Sequence, residues 1–395
     1  MKTYKRCKIA EIGKVISGAT PKTAFAENYG GDIPWITPAD LSGYGEKYIS
    51  HGSRNITAKG YDSCSTQMMP AGTVLFSSRA PIGYVAIARN PICTNQGFKS
   101  IVPSPAIDSE FLYYQMKYLR KQIQDMGSGT TFKEISAKAL GDVRVVVPPI
   151  DEQKHIVARI EELFSKLDNG VETLRKTKRQ LAVYRQAVLV EAFNAISDSI
   201  DMEALATMID PQPSHRTPPE IDNGIPYIGI GDINYNTQEI DFEKSRKVSG
   251  SVLAEQQDRY TMYPGDFVMG KIGTIGKPFR LSLPQNYALS ANVILIHPNS
   301  KLIIPEFLFW QFSSPLVSRQ LALGSTATSQ PAFGIKKARK LQIKLCSLEK
   351  QELILQKIQE KMSLCDSIER TVDTALQQAE AMRQSILKRA FEGRL

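Results

Sequence analysis

The sequence predicts an α+β protein in which two similar mixed α/β domains are joined by two long antiparallel helices forming a coiled-coil spacer, an internal repeat with pseudo-two-fold symmetry. Three observations carry that prediction. Two stretches, 150–195 and 348–395, each hold an apolar heptad. The two stretches share a register at a fixed offset of 198 positions, with Gln153 and Gln351, Asp168 and Asp366, Gln186 and Gln384, and Phe193 and Phe391 as matching pairs. Ahead of each lies a segment of short apolar runs divided by glycine and proline turns, and those segments also match.

The first long helix follows Pro148-Pro149, with Asp151 expected as its N-cap. Ile160, Leu167, Leu174, Leu181 and Val188 take the a positions. A helix of about 40 residues runs roughly 60 Å, longer than one domain's core needs. The second places Ile358, Val372 and Ile386 at a, and Ile368 and Met382 at d. These ten residues are the expected helix-pairing set. Small residues at Gly170, Thr177, Ala375 and Ala379 favour a close antiparallel approach.

Residues 1–148 show strand-like runs at 33–37, 73–78, 83–88 and 143–147 and a helix around 111–124. Residues 197–345 repeat the plan: IPWI at 33–36 matches IPYI at 225–228, FLYYQ at 111–115 matches FLFWQ at 307–311, and GSGTT at 127–131 matches GSTAT at 324–328. The copies agree in their apolar runs and diverge at the tips, where SSRAPIG (77–83) faces GKIGTIG (270–276). One scaffold with two sets of tips suits two readers of different sequences, because side chains on loops read base edges.

At 395 residues with 42% hydrophobic content, the chain has material for two to three packed domains. A net charge of +9 and a pI near 9.1 favour an anionic partner such as nucleic acid. The cysteines (Cys7, Cys64, Cys93, Cys346, Cys365) are odd in number, widely spaced and lack CxxC, which argues against disulfides and zinc and for a reducing compartment. With no apolar run of roughly 18 residues and no signal core, a cytoplasmic protein is expected.

Catalytic signatures are lacking. The run from Gly270 to Gly276 has no G-K-[ST] and reads as a hairpin. The four histidines are scattered, and no metal site or catalytic residue is assigned. Recognition chemistry remains. In the first domain the DNA-binding candidates are Thr20, Lys22, Thr37, Asp40, Arg54, Ser78, Arg79, Asn95, Gln96, Ser128, Thr130, Thr131 and Lys133. In the second they are Gln212, His215, Arg216, Asp232, Lys244, Arg246, Lys271, Thr274, Asn292, Thr326, Thr328, Ser329, Gln330, Lys336 and Lys337. Arginine pairs with guanine and Asn or Gln with adenine, whereas lysine clusters meet phosphate.

The duplicated motifs, together with SGATPKT (17–23), DPQPSHR (210–216), the P-P-x-x-E-Q approach to the first long helix (148–153) and a terminal AFEGRL (390–395), resemble the specificity subunit of type I restriction–modification systems. The resemblance spans essentially the whole chain. It implies target-recognition domains at 1–148 and 197–345, and conserved helices at 149–196 and 346–395 that act as spacer and docking surface. It also implies double-stranded DNA as ligand, with each domain reading half of a gapped site. Two modification subunits would methylate adenine N6 with S-adenosylmethionine, and restriction subunits would supply an ATP- and Mg-dependent motor. No cofactor is implied for this chain, nor any membrane partner. Two departures are Cys346-Ser-Leu-Glu-Lys-Gln351, without paired prolines, and AFNAI (192–196) in place of AFEGRL. A coiled-coil scaffold whose domains bind protein, and a cryptic DNA-modifying enzyme, are the alternatives.

Overall fold

In the computed structural model, residues 4–79, 81–129, 133–235, 237–324 and 332–395 are described. The chain forms two compact units. One comprises Met1–Leu174 with Thr374–Leu395, the other Arg175–Asp373. Each unit thus contains one globular portion and segments of both long helices, Ile150–Asn194 and Leu348–Phe391.

The first unit is built on a five-stranded sheet, ordered 13–17, 99–103, 74–76, 85–88, 48–49. Helix Ser109–Asp125 packs on it, capped by the Asp108 carboxylate, which accepts from the N–H groups of Glu110 and Phe111. Strands Trp35–Ile36 and Cys93–Thr94 pair in parallel beside it, and Arg6–Lys8 pairs antiparallel with Arg144–Val146. The second unit repeats this with a four-stranded sheet, ordered 206–209, 293–298, 267–270, 278–280, the parallel pair 227–228 with 288–289, and the ribbon 199–201 with 342–344.

Two buried glutamines explain the matching FLYYQ and FLFWQ motifs. Gln115 donates to the Val146 carbonyl (2.7 Å) and accepts from its N–H (2.9 Å), and Gln311 does the same with Lys344 (2.8 and 2.8 Å). Each amide acts as a strand surrogate, satisfying a backbone edge that burial would leave unpaired.

Gln153 and Gln351 work likewise at the two helix starts. Gln153 donates to Pro148 O and Ala106 O and accepts from Asp108 N–H. Gln351 donates to Cys346 O and Leu302 O and accepts from Ile304 N–H. Both are fully buried. The first long helix begins at Ile150, so Asp151 lies inside its first turn and is not the N-cap that the sequence suggests. The proline pair places the start one residue earlier, with Gln153 N–H bonding Pro149 O.

The terminal Ala-Phe pairs also recur. Phe391 stands edge to face on Phe111 in the first core (5.4 Å), and Phe193 on Phe307 in the second (5.4 Å). The end of the second long helix therefore completes the first unit's core, and the end of the first completes the second's.

Within the second unit the two helices run antiparallel, because Lys178, Arg185 and Glu191 meet Asp373, Asp366 and Lys361 in turn. Within the first, Arg383 donates to Asp168 and stacks over Phe164 at 5.1 Å. Ile160, Leu181, Val188, Ile358 and Val372 are buried, while Leu167, Leu174 and Ile386 are half-buried. Ile368 and Met382 correct the expectation, since they are 37% and 52% exposed. The covered stripe runs through the buried a positions Ile358, Cys365, Val372 and Ala379 and the e positions, where Met362 is buried and Glu369, Leu376 and Arg383 are half-buried. A helix at 3.6 residues per turn drifts off a strict 3.5 repeat, and the long stems of Lys178, Arg185 and Arg383 cover the e side while their heads pair across it.

Candidate nucleic-acid interface

The strand ends place many of the divergent tips of each unit side by side. In the first unit, Ala19 N–H bonds Thr94 O, Asn95 N–H bonds Ile36 O, Ser78 N–H bonds Gly97 O (2.7 Å) and Ile135 N–H bonds Ser78 O (3.0 Å). Thr20 donates to Gln96 across the same surface. The loops at 18–20, 94–97 and 77–79, with residues 128–129 and 133–135, therefore form one cluster. At its centre the Glu134 carboxylate lies 3.3 Å from Lys99 Nζ and 3.9 Å from Arg79. Lys22, Arg54, Gln96, Ser128 and Lys133 are exposed, and the Arg54 guanidinium carbon sits over the Tyr29 ring, 3.6 Å from its centroid.

The second unit builds the same cluster with other side chains. Lys271 N–H bonds Asn292 O (2.9 Å) and Phe333 N–H bonds Lys271 O (2.8 Å), matching Ser78 bond for bond. The equivalent positions differ in chemistry. Ser78 is fully buried with a hydroxyl that finds no partner among the described residues, whereas the Lys271 ammonium reaches the Asp210 carboxylate at 2.7 Å. The run from Gly270 to Gly276 is a hairpin, closed by Gly276 N–H on Gly270 O, with Gly273 and Gly276 at φ +80° and +73°. His215, Arg216, Lys244, Arg246, Thr274, Asn292, Lys336 and Lys337 are exposed. Lys337 caps the helix Pro315–Gly324 by donating to Gly324 O, and Arg246 donates to Pro218 O.

Several expected contact residues serve the scaffold. Asp40 accepts from Thr37 N–H and hydroxyl (2.7 Å each) and from Ser53 N–H (2.8 Å). Partial burial pushes this carboxyl up, but those hydrogen bonds outweigh it and hold it below its ordinary range. Asp232 closes the equivalent turn through Gly229 N–H (2.8 Å), and Asn95 accepts from Gly97 N–H as Ser290 does from Asn292 N–H. Ser78, Gln212 and Lys271 lie inside, which corrects their reading as direct contacts. The polar backbone of tight turns is satisfied by the nearest short side chain, so these residues are used locally. Thr130, Thr131, Thr326, Thr328, Ser329 and Gln330 lie outside the described residues.

Sequence reasoning missed Lys99, Glu134 and Arg259. Arg259 donates to Asp210 O (2.8 Å) and Pro211 O (3.1 Å) and so fixes the loop that presents His215 and Arg216. A lysine opening the apolar strand 99–103 is a sequence signal for Lys99; Arg259 carries none. Among the described residues no helix is long and apolar enough to cross a membrane.

Comparison with known proteins agrees with this geometry. The type I restriction modification DNA specificity domain matches residues 1–180 and again 215–378. The chain is 46% identical over 171 residues to the MjaIX type I restriction enzyme specificity subunit of Methanocaldococcus jannaschii, covering 43% of this chain and 39% of that protein's length. It is 26% identical over 333 residues to the EcoBI specificity subunit of Escherichia coli, covering 77% of this chain and 70% of that one. Among solved structures, a chain from work on the assembly and conformational transition of a type I R-M system superposes with a TM-score of 0.72 (15% identity, 100% and 99% coverage). The HsdS subunit of Thermoanaerobacter tengcongensis does so with a TM-score of 0.53 (16% identity, 99% and 97% coverage). The chain belongs to the type I restriction modification DNA specificity domain family.

Proposed function

We propose that this chain is the non-catalytic DNA-specificity subunit of a type I restriction–modification complex. The observation that carries the reading is one fold built twice with different side chains on equivalent tips, as in SSRAPIG (77–83) against GKIGTIG (270–276) and Gly97 against the exposed Asn292. Each target-recognition domain, 1–148 and 197–345, reads one half of a bipartite site. The exposed lysines and arginines hold phosphates, and the exposed loop residues read base edges in the major groove. The helices 149–196 and 346–395 set the gap and dock two adenine-N6 methyltransferase subunits, which bring S-adenosylmethionine. A restriction subunit using ATP and Mg completes the complex.

The test is to express the chain with a modification subunit in a methylation-free host and map modified adenines. A split motif with a fixed gap is expected. An assembled complex without methylation contradicts the reading in favour of a protein scaffold, and methylation or cleavage by the isolated chain contradicts its non-catalytic part.

A further inference from the structure

The two sheets end differently. In the first unit, Tyr48–Ile49 adds a fifth strand parallel to Val85–Ala88, with Ile87 N–H bonding Lys47 O and Arg89 N–H bonding Ile49 O (2.8 Å each). Lys47 beside it binds Glu110 and Glu161, and the Tyr114 hydroxyl also reaches Glu161. In the second unit the segment equivalent to Tyr48–Ile49 folds back as Glu239–Ile240 on Ile233–Asn234. Strand Pro278–Arg280 is left as the sheet edge, with no second strand on it among the described residues. The Tyr235 hydroxyl reaches Lys277 O (3.3 Å), at the edge strand's beginning.

Beside that edge lies a cavity of about 1940 Å³. Gln359 stands where the first unit has Glu161, and the indole N–H of Trp310, at the place of Tyr114, is buried without an acceptor among the described residues. Five basic and three acidic side chains line the space; Lys178 and Arg185 engage the three acids and Arg280 pairs with Glu306 at 2.5 Å, which leaves a small positive excess.

We propose that this edge and cavity are a docking groove for an extended acidic segment of a partner protein subunit, which adds to the sheet as Tyr48–Ile49 does in the first unit. A strand edge offers alternating N–H and C=O groups, which another peptide backbone matches and a nucleic acid does not. The acidic side chains meet Lys277 and compete with Glu306 for Arg280, and a backbone carbonyl takes the Trp310 N–H.

The proposal rests on the complex assembling as described above. The experiment places a benzophenone amino acid at Gln359 in the full chain, purified with its modification subunits, and irradiates the complex with and without duplex DNA. A cross-link to a modification subunit is expected, mapping to an acid-rich extended segment and falling about tenfold or more in Arg280→Pro, which removes an edge N–H. Ser318→Trp, which puts an indole into the cavity and leaves the edge backbone intact, is expected to weaken it as well. No protein cross-link in a complex that assembles and methylates overturns the proposal while leaving the function standing. A cross-link to DNA alone, or one that persists in both variants, also overturns it. A complex that does not assemble overturns both.

Discussion

The first unit closes the edge of its sheet with its own Lys47–Ile49, and in the second the equivalent edge carries no further strand among the described residues and lies beside a cavity. Elsewhere the copies agree to the level of single hydrogen bonds: Gln115 with Gln311, Gln153 with Gln351, Ser78 N–H with Lys271 N–H. The difference shows where the repeat is constrained. Buried backbone groups and core rings must be satisfied in both copies, so their partners recur. Tips and edges face solvent, and there the copies are free to carry different chemistry.

The strongest way to break the comparison is to remove the two terminal rings. Phe193→Ala and Phe391→Ala each open a core cavity at a cost of about 3–5 kcal/mol. Hydrogen exchange is expected to rise across 202–345 for Phe193→Ala and across 4–148 for Phe391→Ala, the latter far from position 391 in the chain. Exchange rising across 4–148 for Phe193→Ala, or across 202–345 for Phe391→Ala, contradicts the assignment of each helix end to its core.

Next come the buried amides. Gln153→Leu and Gln351→Leu each strand one N–H and two carbonyls, for a loss of roughly 2–4 kcal/mol, and the equivalence of the copies requires the two losses to agree within about 1 kcal/mol. Denaturant midpoints measure both.

Lys47→Met sharpens the contrast at the sheet edge. Its partners are partly exposed, so the loss is about 1 kcal/mol and is confined to the first unit. Proteolysis near 44–50 reports it.

The smallest effect is on pH. Burial pushes the Glu110 carboxyl up, but Lys47 and Tyr48 more than offset this and hold it below its ordinary 4.5. A lowered carboxyl stabilises the fold above that value, and its contribution is lost as pH falls through the lower native pKa. Acid titration of Lys47→Met is expected to show a shallower loss of stability below pH 4.5 than the parent chain.

Much of this was legible in the residues. Proline-bounded apolar runs and matching motifs marked the strands, the duplication and both long helices. The helix seam was legible at a but not at d, because Ile368 and Met382 look like seam residues until drift toward e turns them outward. The glutamines of FLYYQ and FLFWQ registered as repeats, yet pairing a side-chain amide with a strand edge depends on tertiary contact. Ser78, Gln212 and Lys271 looked like loop side chains, and only the fold shows them turned inward. The open edge at Pro278–Arg280 was hidden because hairpin formation by Glu239–Ile240 competes with strand addition, a choice no local pattern records.

The most direct measurement of the central claim exchanges tips in one unit only. Replacing 270–276 and 290–292 with the first copy's 77–83 and 95–97, in the full chain with modification subunits, alters the tips of the second unit alone. Mapping methylated adenines is expected to show one changed half-site, with the other half and the gap intact. Changes in both halves, or in the gap, would contradict an account in which the two units read DNA independently.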